Sequence, residues 1–301
     1  MSLLAIDVGG SASRWRTTDA EGTAPGFRIG EEGIVVAELL EPVARSLGEE
    51  PDLVVLAMSG VLGLAGRIAD VHAAIRSWWP AARTVVCSDA VSALVGAHGL
   101  GGGVVVSAGT GAIGLGSDLQ TIWRRTDGWG HVLGDEGSAA WIGIEGLRAA
   151  LRGHDGRPGG SAALMAAARA RFGPLRQLPS QIYTRQDRSR VLAEFAPDVS
   201  AAAAHDDVAR TILATAGAHL AETAIAAQAP GVPRRAALVG GVRAAGAPLL
   251  AAFAGRLQEA GLEDRTPAGT SLDGAEAIAR ALAEDFHAIA AGDPYLTKEI
   301  P

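Results

Sequence analysis

Two similar stretches, LAIDVGGS at residues 4–11 and VVVSAGTG at residues 104–111, decide the fold of this 301-residue chain. Each is an apolar run that ends in a turn of glycine and hydroxyl residues, and each is followed by a second short run. This pattern predicts a β-hairpin in both places. Because residues 104–111 repeat the pattern of residues 4–11, the chain is expected to contain a duplicated domain.

The two turns supply candidate phosphate-binding residues. A tight glycine turn exposes backbone N–H groups that suit phosphate oxygens, and Asp7 is placed to hold a hydrated cation. Either turn alone is a weak signal, since an ordinary hairpin with a turn aspartate has the same residues. Two turns that share one explanation favour nucleotide binding by Ser11, Ser13, Thr110 and Gly111.

Strand and helix patterns alternate along the first hundred residues. Strand patterns over Asp52–Met58 and Arg83–Cys87 lead to Ser59-Gly60 and to Ser88-Asp89-Ala90. The alternation predicts a mostly parallel sheet covered by helices. Ligands of such sheets bind at the carboxyl ends of the strands, where Asp7, Ser59 and Asp89 all fall. An alternative interpretation of Asp89 is a helix N-cap for the helix predicted over Ala90–His98.

The second half of the chain continues with helices around one more strand. The predicted strand Ala236–Val239 ends in Gly240-Gly241, where a flat base can lie against the backbone. The tail GDPYLTKEIP is interpreted as a surface extension. Helices are predicted over Ser138–Leu151 with Ser138 as cap, Ala162–Phe172, Ser189–Ala196, Ser200–Ala227, Ala247–Gln258 and Asp273–Ala290.

A glycine-rich loop, DGWGHVLGDEGSAAWIGIEG at residues 127–146, carries Trp129, His131, Asp135 and Glu136. Glycines let the backbone turn sharply and approach a ligand. An indole and carboxylates beside so little steric bulk suit a flat polyol such as a sugar.

Charge and composition exclude several classes of protein. The net charge of −7, without a run of lysine or arginine, argues against a nucleic-acid partner. The start MSLLAIDVGG has no signal-peptide pattern and no apolar stretch approaches a membrane span, so a cytoplasmic protein without a membrane partner is expected. One cysteine, Cys87, excludes an internal disulfide framework and a CxxC zinc site, and leaves too few thiols for an iron–sulfur cluster within the chain.

Five landmarks now stand in a fixed order along the chain. They are Asp7-Val8-Gly9-Gly10-Ser11, Ser88-Asp89-Ala90, Ser107-Ala108-Gly109-Thr110-Gly111, the GWGHVLGDEGSAAW segment from residue 128 to 141, and Gly240-Gly241. In this order the chain resembles the BadF/BadG/BcrA/BcrD ATPase family, and within it the N-acetylglucosamine kinase type, of the actin, hexokinase and Hsp70 superfamily. The resemblance covers nearly the whole chain, and the GWGHVLGDEGSAAW segment is its most specific element.

The resemblance implies an α/β protein of two ribonuclease H-like (actin-like ATPase) domains with ATP and Mg²⁺ in the interdomain cleft. We expect residues 1–100 with 285–301 to form one domain and residues 101–284, with helical insertions, the other. The implied roles divide by ligand. Asp7 would organise magnesium through water, and Asp89 would be the catalytic base. ATP would be bound by Gly9, Gly10, Ser11, Ser13, Thr110, Gly111, Gly240 and Gly241, and the sugar by Ser59, Gly60, Asp89, Trp129, Gly130 and Asp135.

The expected function is an ATP-dependent kinase that phosphorylates an amino sugar or related hexose, N-acetylglucosamine or glucosamine at the 6-hydroxyl first among them. His131 is expected to support the loop rather than touch the substrate. The alternatives are a BadF-type ATPase that energises a partner protein, and a sugar-sensing protein without turnover. The sequence leaves open whether the protein is a homodimer.

Two departures from the family pattern are visible. The first turn reads GGSAS where the family has a GGTKT-like string, so a lysine is missing while hydroxyls remain. The chain contains no asparagine, and the segment Gly26–Val36 therefore lacks the residue that related kinases use to hold sugar hydroxyls. The second departure leaves the identity of the sugar open.

Overall fold

The computed structural model describes residues 1–9, 12–26, 29–30, 33–34, 37–60 and 67–301, and within this part it contains two large mixed β-sheets, one small two-stranded sheet and surrounding helices. The strands are β1 (Leu3–Val8), β2 (Ala12–Arg16), β3 (Glu21–Pro25), β4 (Ile29–Gly30), β5 (Gly33–Ile34), β6 (Leu53–Met58), β7 (Arg83–Ser88), β8 (Gly103–Ala108), β9 (Ala112–Ser117), β10 (Trp123–Asp127), β11 (Arg235–Val239), β12 (Glu263–Asp264) and β13 (Leu296–Glu299). The helices are α1 (Ala37–Ser46), α2 (Ile68–Trp78), α3 (Asp89–His98), α4 (Ala139–His154), α5 (Ala162–Phe172), α6 (Leu178–Tyr183), α7 (Arg188–Ala193), α8 (Ala196–Ala202), α9 (Asp207–Ala227), α10 (Ala247–Glu259) and α11 (Ser271–Glu284).

The two large sheets repeat one topology, as the two hairpin patterns predict. The first sheet has the order β13-β7-β6-β1-β2-β3 and the second the order β10-β9-β8-β11-β12. In each, a central strand pairs antiparallel with the next strand of its hairpin and parallel with a later strand on its other side. The central strands are mostly apolar because helices cover both faces. The sheets are mixed rather than mostly parallel, since the hairpin strands and β13 run antiparallel.

Helices α3 and α11 are packed between the sheets. Their apolar side chains form one buried cluster with residues from strands of both sheets. The two helices approach so closely that a Cβ atom on Gly274 would lie 1.8 Å from the carbonyl oxygen of Ser92, and one on Gly96 would lie 2.1 Å from that of Thr270. Only glycine permits this backbone contact, which brings the start of α11 beside the start of α3.

Successive side chains of β2 lie on opposite faces of the sheet. Ser13 and Trp15 are buried, and Trp15 belongs to the core on the α1 and α2 side of the sheet. Arg14 lies on the other face, directly opposite Asp7 in the antiparallel register. Arg16, on the same face, donates hydrogen bonds to Asp273 and Glu276 of α11.

Two helices predicted in the second half of the chain are shorter or interrupted in the structure. The helix predicted over Ser200–Ala227 is interrupted, because α8 ends at Ala202 and Asp206 caps a new helix by accepting from the N–H of Ala209. The helix predicted over Ser189–Ala196 likewise ends at Ala193, before α8 begins. Alanine-rich sequence favours helix at every position, so such short interruptions leave little trace in the pattern.

The end of the chain also differs from the prediction. Helix α11 ends at Glu284 rather than at Ala290. The tail predicted to be a surface extension contains β13, which pairs antiparallel with β7 and buries Leu296 completely. His72 of α2 contacts both strands, with Nδ1 2.7 Å from the Thr84 hydroxyl and Nε2 2.9 Å from that of Thr297. The tail is therefore part of the first sheet.

Candidate active site

A cavity of about 530 Å³ opens where the carboxyl ends of strands from both sheets meet. The first sheet and α3 contribute Asp7 and Asp89, and the second sheet contributes Ser107 and Gly240. Further lining residues are Val8, Gly9, Arg14, Ala93, Val239, Arg243, Thr266, Pro267, Gly269, Thr270 and Ser271. The structure thus brings the predicted metal-binding and catalytic carboxylates to one space, as their strand-end positions predict.

Asp7 is held on both oxygens. The hydroxyl of Ser271 donates to Oδ1 at 2.9 Å, and the guanidinium of Arg14 donates to Oδ2 at 2.9 Å. The Asp7 residue is 9% exposed, so its carboxylate faces the cavity with little contact to bulk water. Its orientation is fixed from two directions by elements that are far apart in the sequence.

Asp89 is the first residue of α3 and lies at the end of β7. The side chain of Ser88, not of Asp89, caps the helix by accepting a hydrogen bond from the N–H of Ala90. Burial raises the pKa of the Asp89 carboxyl above its usual value, the Ser88 hydroxyl and the Ala90 N–H partly oppose this, and the charge of Asp7 raises it further. A carboxyl group that takes up a proton readily beside a second carboxylate is suited to general-base chemistry.

A second cavity, of about 500 Å³, adjoins the turn of the second hairpin. Gly109, Thr110 and Gly241 line it together with apolar residues of α4 and polar residues of α7 and α8. Gly240 lines the first cavity and Gly241 the second, so this diglycine lies where the two spaces meet. The mostly apolar walls of the second cavity are suited to an aromatic base.

The second-hairpin turn is anchored on α4. The carbonyl groups of Gly109 and Thr110 accept hydrogen bonds from the N–H groups of Ala139 and Ala140, the first residues of that helix. The carboxylate of Asp135 packs against Gly111 so closely that a Cβ atom there would lie 2.5 Å from Oδ2. The turn and the glycine-rich loop are therefore one packed unit.

Asp127 organises the glycine-rich loop. Its Oδ1 accepts hydrogen bonds from the N–H groups of Gly128 and Asp135 at 2.8 Å each, and its Oδ2 accepts from that of Glu136 at 3.1 Å. Asp135 in turn accepts from the N–H of Gly130 at 3.1 Å. Burial raises the pKa of Asp135, which is 8% exposed, while the hydrogen bond from Gly130 opposes the shift. The loop is thus held by its own carboxylates.

Trp129 and His131 lie apart from the two cavities. The Trp129 indole is 68% exposed and stacks with the guanidinium of Arg125, whose Cζ is 4.9 Å from the ring centroid. His131 lines a separate cavity of about 370 Å³ with apolar residues of α4, α6 and α7. Neither side chain lines the cavity that contains Asp89.

Several other predicted residues are not brought to the cavities. The Ser13 hydroxyl is buried and donates to the carbonyl of Pro25 at 2.8 Å. Ser59 lines neither cavity; its N–H donates to the carbonyl of Val8, and Gly60 follows it at the surface. Gly10, Ser11 and much of the segment Gly26–Val36 lie outside the described residues.

The structure adds residues that sequence reasoning missed. Arg14, Arg243, Thr270 and Ser271 line the cavity, and Asp127 holds the loop. Arg14 was accessible to prediction, because a hairpin register that pairs residue 7 with residue 14 places both on one face. The other cavity residues carry no comparable local signal.

Comparison with known proteins identifies relatives of this chain. Residues 4–276 match the BadF/BadG/BcrA/BcrD ATPase family. An N-acetylmuramic acid/N-acetylglucosamine kinase from Clostridium acetobutylicum is 41% identical over 83 residues, which are 28% of this chain and 27% of that protein. The match thus spans about a quarter of that relative.

Solved structures share the fold over nearly the whole chain. A Chromobacterium violaceum protein provisionally named an N-acetylglucosamine kinase has a TM-score of 0.71 at 23% identity, over 91% of this chain and 97% of its own. A Porphyromonas gingivalis protein provisionally given the same name has a TM-score of 0.72 at 17% identity, over 92% and 99% of the two chains. These likenesses establish the two-domain actin-like fold. Among the described residues, no helix has the length and apolar character needed to cross a bilayer.

Proposed function

Since this chain belongs to the BadF/BadG/BcrA/BcrD ATPase family, we propose that it is an ATP-dependent kinase that phosphorylates an amino sugar or related hexose. N-acetylglucosamine and glucosamine are the first candidate acceptors, at the 6-hydroxyl. The names of the Clostridium relative and of the two structural neighbours support this class of acceptor.

One observation supports this proposal more strongly than any other. Asp89 and Asp7 line the same cavity, and it is bounded by glycine-containing strand ends from both sheets. Phosphoryl transfer needs an aligned hydroxyl, neutralised phosphate charge and one acceptor for the hydroxyl proton. Asp89, with its raised pKa, suits the last of these roles.

In this mechanism each part of the cavity has one task. The base and ribose of ATP would lie against Gly241 in the second cavity, and the phosphates would extend past Gly109 and Thr110 toward Gly9. Asp89 orients the sugar hydroxyl and accepts its proton as the oxygen bonds to the γ-phosphorus and ADP leaves.

The residues present fit a magnesium ion. Mg²⁺ prefers hard oxygen ligands and is held in kinases by one or two carboxylates together with substrate phosphates. Asp7, whose carboxylate lines the cavity beside the hydroxyl of Ser271, provides such oxygens. Bound there with ATP, the ion would neutralise phosphate charge.

The glycine-rich loop is the proposed acceptor side of the site. Asp135, packed against Gly111, joins this loop to the phosphate turn, and the Gly130 N–H is fixed by Asp135. The exposed Trp129 would reach a sugar only if the loop moves on binding. Ser59 and Gly60, at the end of β6, would contact the sugar from the opposite side.

We place the domain boundary before α11 rather than after it. Helix α11 packs against α3 and β1 and donates from Ser271 to Asp7, so it belongs with the first sheet. Residues 271–301 would then join residues 1–100, and residues 101–270 would form the second domain. Limited proteolysis that released a fragment ending near residue 285 as a stable unit would contradict this division.

An ADP-release assay with a panel of sugars tests the function. We expect N-acetylglucosamine or glucosamine to stimulate release, the product to carry phosphate at the 6-position by NMR, and Asp89→Asn to abolish the stimulation. Arg45→Gln, which changes an exposed side chain on α1, is the matched control and should turn over normally. If no sugar stimulates ADP release, or if Asp89→Asn retains it, the proposal fails.

The BadF-type alternative, an ATPase that energises a partner, is less well supported. Such proteins share an iron–sulfur cluster between subunits, and the only cysteine here, Cys87, is fully buried in the first sheet. Burial raises the pKa of its thiol well beyond the usual range, so it is a poor metal ligand. A purified protein that bound iron would reopen this alternative, whereas tight sugar binding without ADP release would favour a sensor.

A further inference from the structure

Arg14 lines the cavity, and the resemblance of the chain to its family gives this residue no role. Its guanidinium donates to Oδ2 of Asp7 at 2.9 Å, and the two residues are directly opposite in the β1–β2 register. The Arg14 side chain is 54% exposed, whereas that of Asp7 is 12% exposed. The guanidinium therefore lies at the open side of the carboxylate, toward the space that the phosphates of ATP would enter.

Few other cations are available at this site. The cavity is lined by two cationic side chains among its described residues, Arg14 and Arg243. Arg243 is engaged with the carbonyl of Leu238 at 2.9 Å. The only lysine of the chain, Lys298, donates to the carbonyl groups of Phe286 and Ile289 on the C-terminal side of the first sheet. The position that carries lysine in a GGTKT-like turn is Ala12, which has no charge to offer.

Arg14 can exchange its partner Asp7 for a phosphate group. A partly exposed ion pair contributes little to stability because water screens it. A phosphate group, with more negative charge and three oxygens, is a stronger partner for a planar guanidinium than one carboxylate oxygen. Because the arginine side chain is long and flexible, its head group can leave Asp7 without any change in the β-strand.

We propose that Arg14 binds the terminal phosphate of ATP and thereby takes the place of the missing lysine. In the nucleotide-free protein it neutralises Asp7. When ATP enters, Arg14 transfers to the phosphate and leaves Oδ2 of Asp7 free for a hydrated cation. This inference rests on the proposed kinase function, and it predicts a role for Arg14 that the catalytic base does not share.

Nucleotide binding to wild-type protein and to Arg14→Gln tests the inference. Calorimetric titrations with ADP and with a non-hydrolysable ATP analogue, both with magnesium, separate the terminal phosphate from the rest of the nucleotide. We expect Arg14→Gln to weaken binding of the analogue about tenfold or more, the usual size of a charged hydrogen bond, and to change binding of ADP less than twofold. Arg14→Lys should recover part of the loss, because it keeps the charge but not the two-point geometry.

The outcomes distinguish the two proposals. Equal losses for ADP and the analogue would mean that Arg14 merely maintains the hairpin, and would overturn the inference while leaving the kinase function standing. Wild-type protein that binds neither nucleotide would overturn both. Thermal unfolding of Arg14→Gln close to that of wild type would show that any loss of binding is not a loss of fold.

Discussion

The hydroxyl of Ser271 donates a hydrogen bond to Oδ1 of Asp7 at 2.9 Å, although the two residues are 264 positions apart in the sequence. The Ser271 oxygen also lies 2.6 Å from the hydroxyl oxygen of Ser92, which lies 3.0 Å from the carbonyl oxygen of Asp89. The two hydroxyls carry one proton each, so they can donate in only two of these three contacts at a time. Helix packing thus connects both carboxylate residues of the site.

Ser271→Ala should slow turnover without unfolding the protein. Loss of one hydrogen bond to a charged group, worth about 1.5 kcal/mol, corresponds to roughly a tenfold fall in kcat if the bond orients Asp7 during the reaction. Ser271→Thr keeps the hydroxyl and should restore most of the rate. Steady-state kinetics with ATP and the best sugar measure this, and a Ser271→Ala enzyme with wild-type kcat would show that Asp7 does not need this hydrogen bond during the reaction.

The pH dependence of turnover should reflect the raised pKa of Asp89. A base acts only when it is ionised, so kcat/KM for the sugar should fall as the pH falls through this pKa, at a value above the ordinary aspartate pKa of about 3.9. An acid limb at or below that ordinary value would contradict the assignment.

The same raised pKa means that ionised Asp89 lowers the stability of the folded protein. Because the folded pKa is raised, the stability that this group contributes is present below the unfolded pKa and is lost as the pH rises through the folded value. At pH 7.5 an isosteric Asp89→Asn replacement should therefore not lower the melting temperature, although it should reduce turnover by about 10²-fold or more. A clear fall in melting temperature would indicate that the carboxylate is stabilised by contacts other than those described.

Replacement of Gly240 by alanine should lower the stability of the protein, whereas replacement of the neighbouring Gly241 should weaken ATP binding. Gly240 has φ +94°, and its Cβ atom would lie 2.3 Å from the carbonyl oxygen of Ala108, so Gly240→Ala should cost at least about 1–3 kcal/mol of stability. Gly241 has no atom within 4 Å of a built Cβ, and it lines the second cavity. Gly241→Ala should keep the melting temperature and raise KM for ATP, and equal melting temperatures for the two variants would contradict this reasoning.

Asp127 should control binding of the sugar. Asp127→Ala removes three hydrogen-bond acceptances that hold the glycine-rich loop, and it places alanine at φ +57°. We expect KM for the sugar to rise about tenfold while KM for ATP changes little. Asp127→Asn tolerates the left-handed backbone and keeps one acceptor oxygen, so it should be milder. A selective rise in KM for ATP would instead place the loop on the nucleotide side.

Local pattern alone determined the two hairpins, the strand-end positions of Asp7 and Asp89, and the Ser138 cap of α4. These features depend on residues within a few positions of each other, where turn chemistry and period-two alternation apply directly. The same alternation places Ser13 and Arg14 on opposite faces of the sheet, although a hydroxyl beside the turn predicts a phosphate ligand at Ser13. The family resemblance rested on such local segments, and these segments are spread along nearly the whole chain.

Only the tertiary structure decided which distant residues complete the cavity. Ser271 and Thr270 reach it because glycines let α11 contact α3 along the backbone, and Arg243 reaches it because β11 pairs beside β8. The C-terminal tail becomes β13 because an edge strand, β7, offers unpaired backbone groups. Contacts of this kind join residues hundreds of positions apart, and their free energy comes from packing and backbone pairing that no local stretch of sequence contains.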